Sequence, residues 1–128
     1  MKTKVLTMTL LAMLPATLAY AEADFFTAKI PFAFTAQGKE LPAGSYRFKV
    51  DFAKGVAQVE SMTGKYEVVP FVTILARPEH STATDSHVVF DKVGDKYSLS
   101  EIWGVQQEGV LLLATKGKHE HEVVHAPH

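Results

Sequence analysis

The sequence predicts an all-β domain, an antiparallel small β-barrel or sandwich of about six to eight strands. Three observations lead there. Polar and apolar residues alternate over short runs, and glycine- or proline-bearing turns separate those runs about every 8 to 12 residues. Beyond residue 24 nothing sustains the apolar period of about 3.6 residues that marks a helix.

The first residues stand apart from that domain. Lys2 and Lys4 precede an apolar run over residues 5–14, and small residues follow as Ala19-Tyr20-Ala21 and Ala21-Glu22-Ala23. A basic start, a short apolar stretch and an A-x-A site make a secretory signal peptide, here residues 1–21, with cleavage after Ala21 or Ala23. Thr7, Thr9 and Pro15 break the run, which is shorter than the roughly 20 residues that span a bilayer. The expected organisation is therefore a signal peptide, an antiparallel β domain over residues 24–116, and a His-rich tail over residues 117–128.

The first expected strand carries Ile30, Phe32 and Phe34 on one face, and Pro31, which cannot donate to a ladder, sets it at an edge or a bulge. Residues 38–44, Gly-Lys-Glu-Leu-Pro-Ala-Gly, are turn chemistry. The clearest period follows, with Tyr46, Phe48, Val50 and Phe52 alternating against Ser45, Arg47, Lys49 and Asp51, so one face is dry and one wet. A tight turn at Ala53-Lys54-Gly55 leads to a shorter strand over residues 56–60 and another turn at residues 62–65. Residues 66–76 are apolar on both faces, as expected for a central strand or one crossing between layers, with Pro70 marking a bend. After a polar loop over residues 77–86, residues 87–93 and 96–103 flank Gly94-Asp95 as a hairpin. The run from Val110 to Thr115 fits either a buried strand or one and a half helical turns, and strand is the reading favoured.

Composition bounds the function classes. The chain has 128 residues, 47% apolar and 21% charged, which suits one globular domain. A formal net charge of −1, made more acidic by loss of Lys2 and Lys4, gives no electrostatic footprint for nucleic acid. With no cysteine, an exported chain relies on apolar packing alone. Export without cysteine suits a bacterial periplasm or the medium.

Several segments also carry a likeness. Ile30-Pro31-Phe32-Ala33-Phe34, Gly38-Lys39-x-Leu41-Pro42-Ala43-Gly44-x-Tyr46, and Val89-Phe90-x-Lys92-x-Gly94-Asp95-x-Tyr97-x-Leu99-Ser100-x-Ile102-Trp103 resemble an uncharacterised family of short, signal-peptide-bearing bacterial secreted proteins. The likeness covers roughly residues 28 to 103 and lies in turns and strand cores. It implies export and an all-β domain, and it carries over no catalytic residue.

The chemistry-bearing signals are few. His121-Glu122-Val123-Val124-His125 spells the H-E-x-x-H of a zinc protease, in which both histidines bind zinc from one helix face and the glutamate activates water. Val123 and Val124 are β-branched, Pro127 follows closely, and no later element remains to supply a third ligand. The spelling is therefore read as a chance match. If the tail runs as a strand, His119 and His121 share a face, and His125 or His128 folds back to complete a weak site for zinc, copper or nickel. The plainer reading is a solvated terminus. Residues 79–87 hold Ser, His and Asp together, but neighbours in one loop rarely form a triad, and no G-x-S-x-G elbow accompanies them. The carboxylates Asp51, Glu60, Glu67 and Glu101 are expected to face solvent, and no acid/base pair emerges from spacing. The aromatics are expected to fill a core rather than line a ligand cavity.

The function expected is that of a non-enzymatic exported β domain acting through its surface on another protein or an envelope polymer. A small carrier of an apolar ligand in a barrel is one alternative. A metal-handling protein using His119, His121 and His125 is another.

Overall fold

A computed structural model of the chain describes residues 25–76, 86–104 and 108–127. The signal peptide expected over residues 1–21 and most of the polar loop at 77–86 lie outside the described residues. Every regular element described is a strand: β1 (Phe25–Ile30), β2 (Phe34–Ala36), β3 (Lys39–Leu41), β4 (Gly44–Asp51), β5 (Val56–Ser61), β6 (Tyr66–Pro70), β7 (Thr73–Leu75), β8 (His87–Val93), β9 (Lys96–Trp103), β10 (Gly109–Leu111) and β11 (Glu120–His125). Four of them span three residues each. No helix among the described residues is long and apolar enough to cross a membrane.

The strands form two sheets that do not close on each other, so the architecture is a sandwich rather than a barrel. One sheet runs β1-β4-β5-β6 and the other β11-β8-β9-β10-β7, with β2 joined to β9 and β3 to β2. The aromatic alternation makes the interface. Tyr46 and Phe48 of β4, Phe34 of β2 and Phe90 of β8 are buried with Ile30, Val59, Leu99 and Ile102. Phe34 meets Tyr46 and Phe90 edge to face at ring separations of 5.1 Å each, and Phe32 stacks on Tyr97 at 3.8 Å. Such contacts add to the area the rings remove from water. Clefts of about 240 and 350 Å³ open to solvent, the first lined by Ala36 and Leu99 of one sheet and Val69 of the other, and the buried residues of both sheets pack into one core.

Several local expectations are corrected. The strand expected through Ile30, Phe32 and Phe34 is two strands, because the chain changes sheets at Pro31, where a ladder donor is missing. Residues 66–76 also divide into two strands in different sheets, bending after Pro70 as expected of a crossing segment. Both β6 and β7 are edge strands rather than central ones, which leaves Val68, Val72 and Ile74 exposed. Phe52 falls past the end of β4 and is exposed. Within residues 38–44, Lys39–Leu41 pairs back on β2 as a hairpin whose turn residues, Gln37 and Gly38, both have positive φ, at 51° and 77°. The strand expected from Val110 to Thr115 extends only to Leu111. Its first residue, Gly109, lies opposite Trp103, and a Cβ there would meet the indole at 2.5 Å, so glycine is what lets the ring lie across the ladder.

One irregularity positions the site. Along β8, Val88 and Phe90 face the core while Val89 and Asp91 are buried outside it. Val89 pairs with Glu101 but Phe90 pairs with Leu99, so Ser100 is an extra residue on β9. Buried Ser100 donates its hydroxyl to the Leu113 carbonyl at 2.7 Å, and its own carbonyl accepts from the Leu112 amide at 2.7 Å. The bulge thus ties down the start of the segment that leads on to residues 117–121.

Candidate metal centre

The His-rich segment is not a loose appendage. Residues Glu120–His125 pair antiparallel with β8 over six registers, from Glu120 opposite Lys92 to His125 opposite His87. β-branched Val123 and Val124 favour this extended form. Val124 lies opposite Val88 and packs against the core, which sets the register. The alternate face then carries His121, Val123 and His125, opposite Asp91, Val89 and His87 in turn.

This geometry explains the protease spelling. On a helix, residues four apart are neighbours; on a strand rising about 3.3 Å per residue they lie roughly 13 Å apart. One ion cannot bind both His121 and His125. Glu122 points to the opposite face from both, since side chains alternate along a strand.

Of the sequence-expected trio His119, His121 and His125, the structure brings the first two together beside Asp91, a residue sequence reasoning missed, and sets His125 apart. Asp91, His119 and His121 present one ligand atom each, all within 4.8 Å of one another. Asp91 Oδ1 lies 3.1 Å from His121 Nδ1 and 3.8 Å from His119 Nε2. A tetrahedral ion with bonds of about 2.0 Å holds its donors about 3.3 Å apart, so only small side-chain rotations are needed. His125 instead sits by His87, with ring centroids 5.5 Å apart, and His87 stacks on Trp103 at 5.9 Å. His128 lies outside the described residues.

Burial and hydrogen bonding add chemistry to the distances. The Asp91 side chain is 2% exposed, His119 20% and His121 56%, so the cluster has a dry floor and an open side. Among the described residues Asp91 Oδ1 has no hydrogen-bond partner, although His121 Nδ1 approaches it to 3.1 Å. A buried carboxylate oxygen left this way is costly unless a cation faces it. His119 Nδ1 lies 2.9 Å from the Gly117 carbonyl, which can only accept, so Nδ1 carries the hydrogen. In the neutral ring Nε2 is then a bare lone pair turned toward Asp91. A backbone carbonyl that fixes the tautomer and aims the other nitrogen is the usual outer support of a metal-binding histidine. Beside the site, Ser98 lies opposite Asp91 on β9 and accepts a hydrogen bond from Thr35 at 3.0 Å.

Known proteins offer no shortcut. The chain matches no family model, no curated protein and no solved structure. The functional reading therefore rests on this chemistry.

Asp91 was legible only in part. Its place three residues before the Gly94-Asp95 turn and next to Phe90 sets it on the face away from the core. No sequence signal says that β11 will lie beside β8 and bring two imidazoles over that face. Of the remaining carboxylates, Glu60 and Arg47 approach within 3.6 Å on the wet face of the four-stranded sheet and Glu101 accepts from the Trp103 indole at 2.8 Å, whereas Glu67, expected to face solvent, lies opposite buried Val59 with its side chain 21% exposed and 3.4 Å from Lys39.

Proposed function

We propose that the protein is an exported, non-enzymatic β-sandwich that binds one divalent transition-metal ion at Asp91, His119 and His121. The observation that carries this reading is the buried Asp91 oxygen without a hydrogen bond, faced by two imidazole nitrogens of which one has its tautomer set by a backbone carbonyl. Two nitrogens, one carboxylate oxygen and no sulfur make a borderline donor set suited to copper(II), nickel or zinc, with copper(II) tightest in the usual order of affinities. Exposure of His121 leaves the remaining coordination positions facing solvent, which suits an ion that is taken up and released.

Calorimetric titration of zinc and of copper(II) into the full chain tests the reading. One equivalent is expected to bind. Asp91→Asn, nearly isosteric with the original, is expected to weaken binding by about 100-fold or more, beyond the 10- to 100-fold typical of disturbing a merely supporting residue. His119→Ala and His121→Ala are expected to do the same, and His125→Ala to leave affinity unchanged. Equal affinity in wild type and Asp91→Asn would reduce the uptake to a loose property of the histidines and overturn the reading.

A further inference from the structure

We infer that the ion acts as a clasp, controlling whether the terminal strand β11 is docked on β8 or released from it. This rests on the metal-binding reading above and assigns that site its regulation.

The ligands are divided across a single joint. Asp91 belongs to β8, whereas His121 belongs to β11 and His119 to the residues leading into it. An ion held by all three therefore bridges the two strands, and it can do so only while they are paired. The joint is otherwise weakly held. Among the described residues β11 is the outermost strand of its sheet, bonded to β8, and it touches the other sheet at β1. Five of its six residues are exposed, and Val124 is the one packed against the core. Its docking rests on six registers of backbone pairing, on that valine, on the approach of the His125 ring to His87 at 5.5 Å and on the Ala126 amide donating to the Ser86 carbonyl beyond the last register. Edge strands with so little apolar burial are the parts of a sheet that open first.

Docking also carries a specific cost. Lifting β11 away would remove the two imidazoles that approach Asp91 and open that side of its carboxylate to water. With β11 in place its carboxylate is buried and one oxygen lacks a hydrogen bond. The ion supplies the missing partner, so metal and docking favour each other. A ligand that binds only the docked form shifts the docking equilibrium by a factor of about 1 + [M]/Kd, roughly 100-fold at a hundred times Kd. His119 and His121 retain some affinity when released, which makes 100-fold the upper limit.

Native-state hydrogen exchange on the full chain, with chelator or with zinc at a hundred times its measured Kd, tests the clasp. In chelator, the β11 amides and the β8 amides bonded to them are expected to exchange faster than those of β4 and β5, reporting release without global unfolding. Zinc is expected to slow the β11 amides by up to 100-fold. Asp91→Asn removes the buried charge, so its metal-free β11 is expected to be better protected than metal-free wild type and indifferent to zinc. If zinc binds in an Asp91-dependent way yet β11 exchanges equally with and without it, or if metal-free β11 exchanges only as slowly as β4, the clasp is overturned while the binding reading stands. Absence of Asp91-dependent zinc uptake would overturn both.

Discussion

Tyr46 shows how much one side chain holds. Its ring fills the space between the sheets, and its hydroxyl donates to the Pro42 carbonyl, binding the start of β4 to the turn before it. Tyr46→Phe keeps the ring and removes the donor, and is expected to cost about 1 kcal/mol in urea denaturation at pH 8. Burial also holds the phenol above its usual pKa of 10.0. The unfolded chain ionises first as pH rises, so the contribution of Tyr46 is complete below about pH 10 and lost above it. Stability of the wild type is expected to fall more steeply than that of Tyr46→Phe as pH rises above about 10. Parallel curves would show that this phenol is no harder to ionise in the fold. Both the dry face that buries Tyr46 and the turn that meets it are legible in the sequence, because they are neighbours along the chain.

At the scale of the element, β4 is the strand whose pattern is least ambiguous, and it tests the register. Phe48 is fully buried and pairs between Phe26 and Val59, while Lys49 lies on the opposite face between Phe25 and Gln58. Phe48→Asp is expected to unfold the domain, and Lys49→Asp to change stability by under about 0.5 kcal/mol in chemical denaturation. Equal effects would contradict the pairing. The alternation stops being informative where strands are short or change sheets. Pro31 and Pro70 each look like an interruption within one strand, yet each is the point where the chain leaves one layer for the other. A missing amide donor is a local fact; whether the chain then resumes in the same sheet depends on partners far along the sequence. Phe52 and Ile74 show the same limit, since an apolar residue in phase with a buried face is covered only if the facing sheet extends over it.

Over the whole molecule, the sandwich relies on one aromatic interface between sheets of unequal width, with no disulfide to brace it. A ligand confined to the native state then has a large effect on stability. Metal at a hundred times Kd is expected to add about 2.7 kcal/mol to global stability. For a domain of this size that raises the melting temperature by roughly 10 °C or more, increasing with metal concentration. Thermal melts at several zinc concentrations, with Asp91→Asn in parallel, check this. A melting temperature insensitive to zinc in the wild type would contradict the expectation. Because the site joins an edge strand to the body of its sheet, this stabilisation originates at the margin rather than in the core.

By itself the sequence determined the all-β class, the wet and dry faces of β4, the β8–β9 hairpin and the poor fit of Val123 and Val124 to a helix, since each follows from residues within a few positions of one another. It also brought His119 and His121 to one face on the condition that the tail is extended. Only the tertiary structure decided that the sheets stay open as a sandwich, that the tail is a paired strand, and that Asp91 rather than His125 completes the cluster. Strand pairing joins residues some 30 positions apart, and burial of a carboxylate is a property of what is laid over it, so neither is written in the local alternation of the chain.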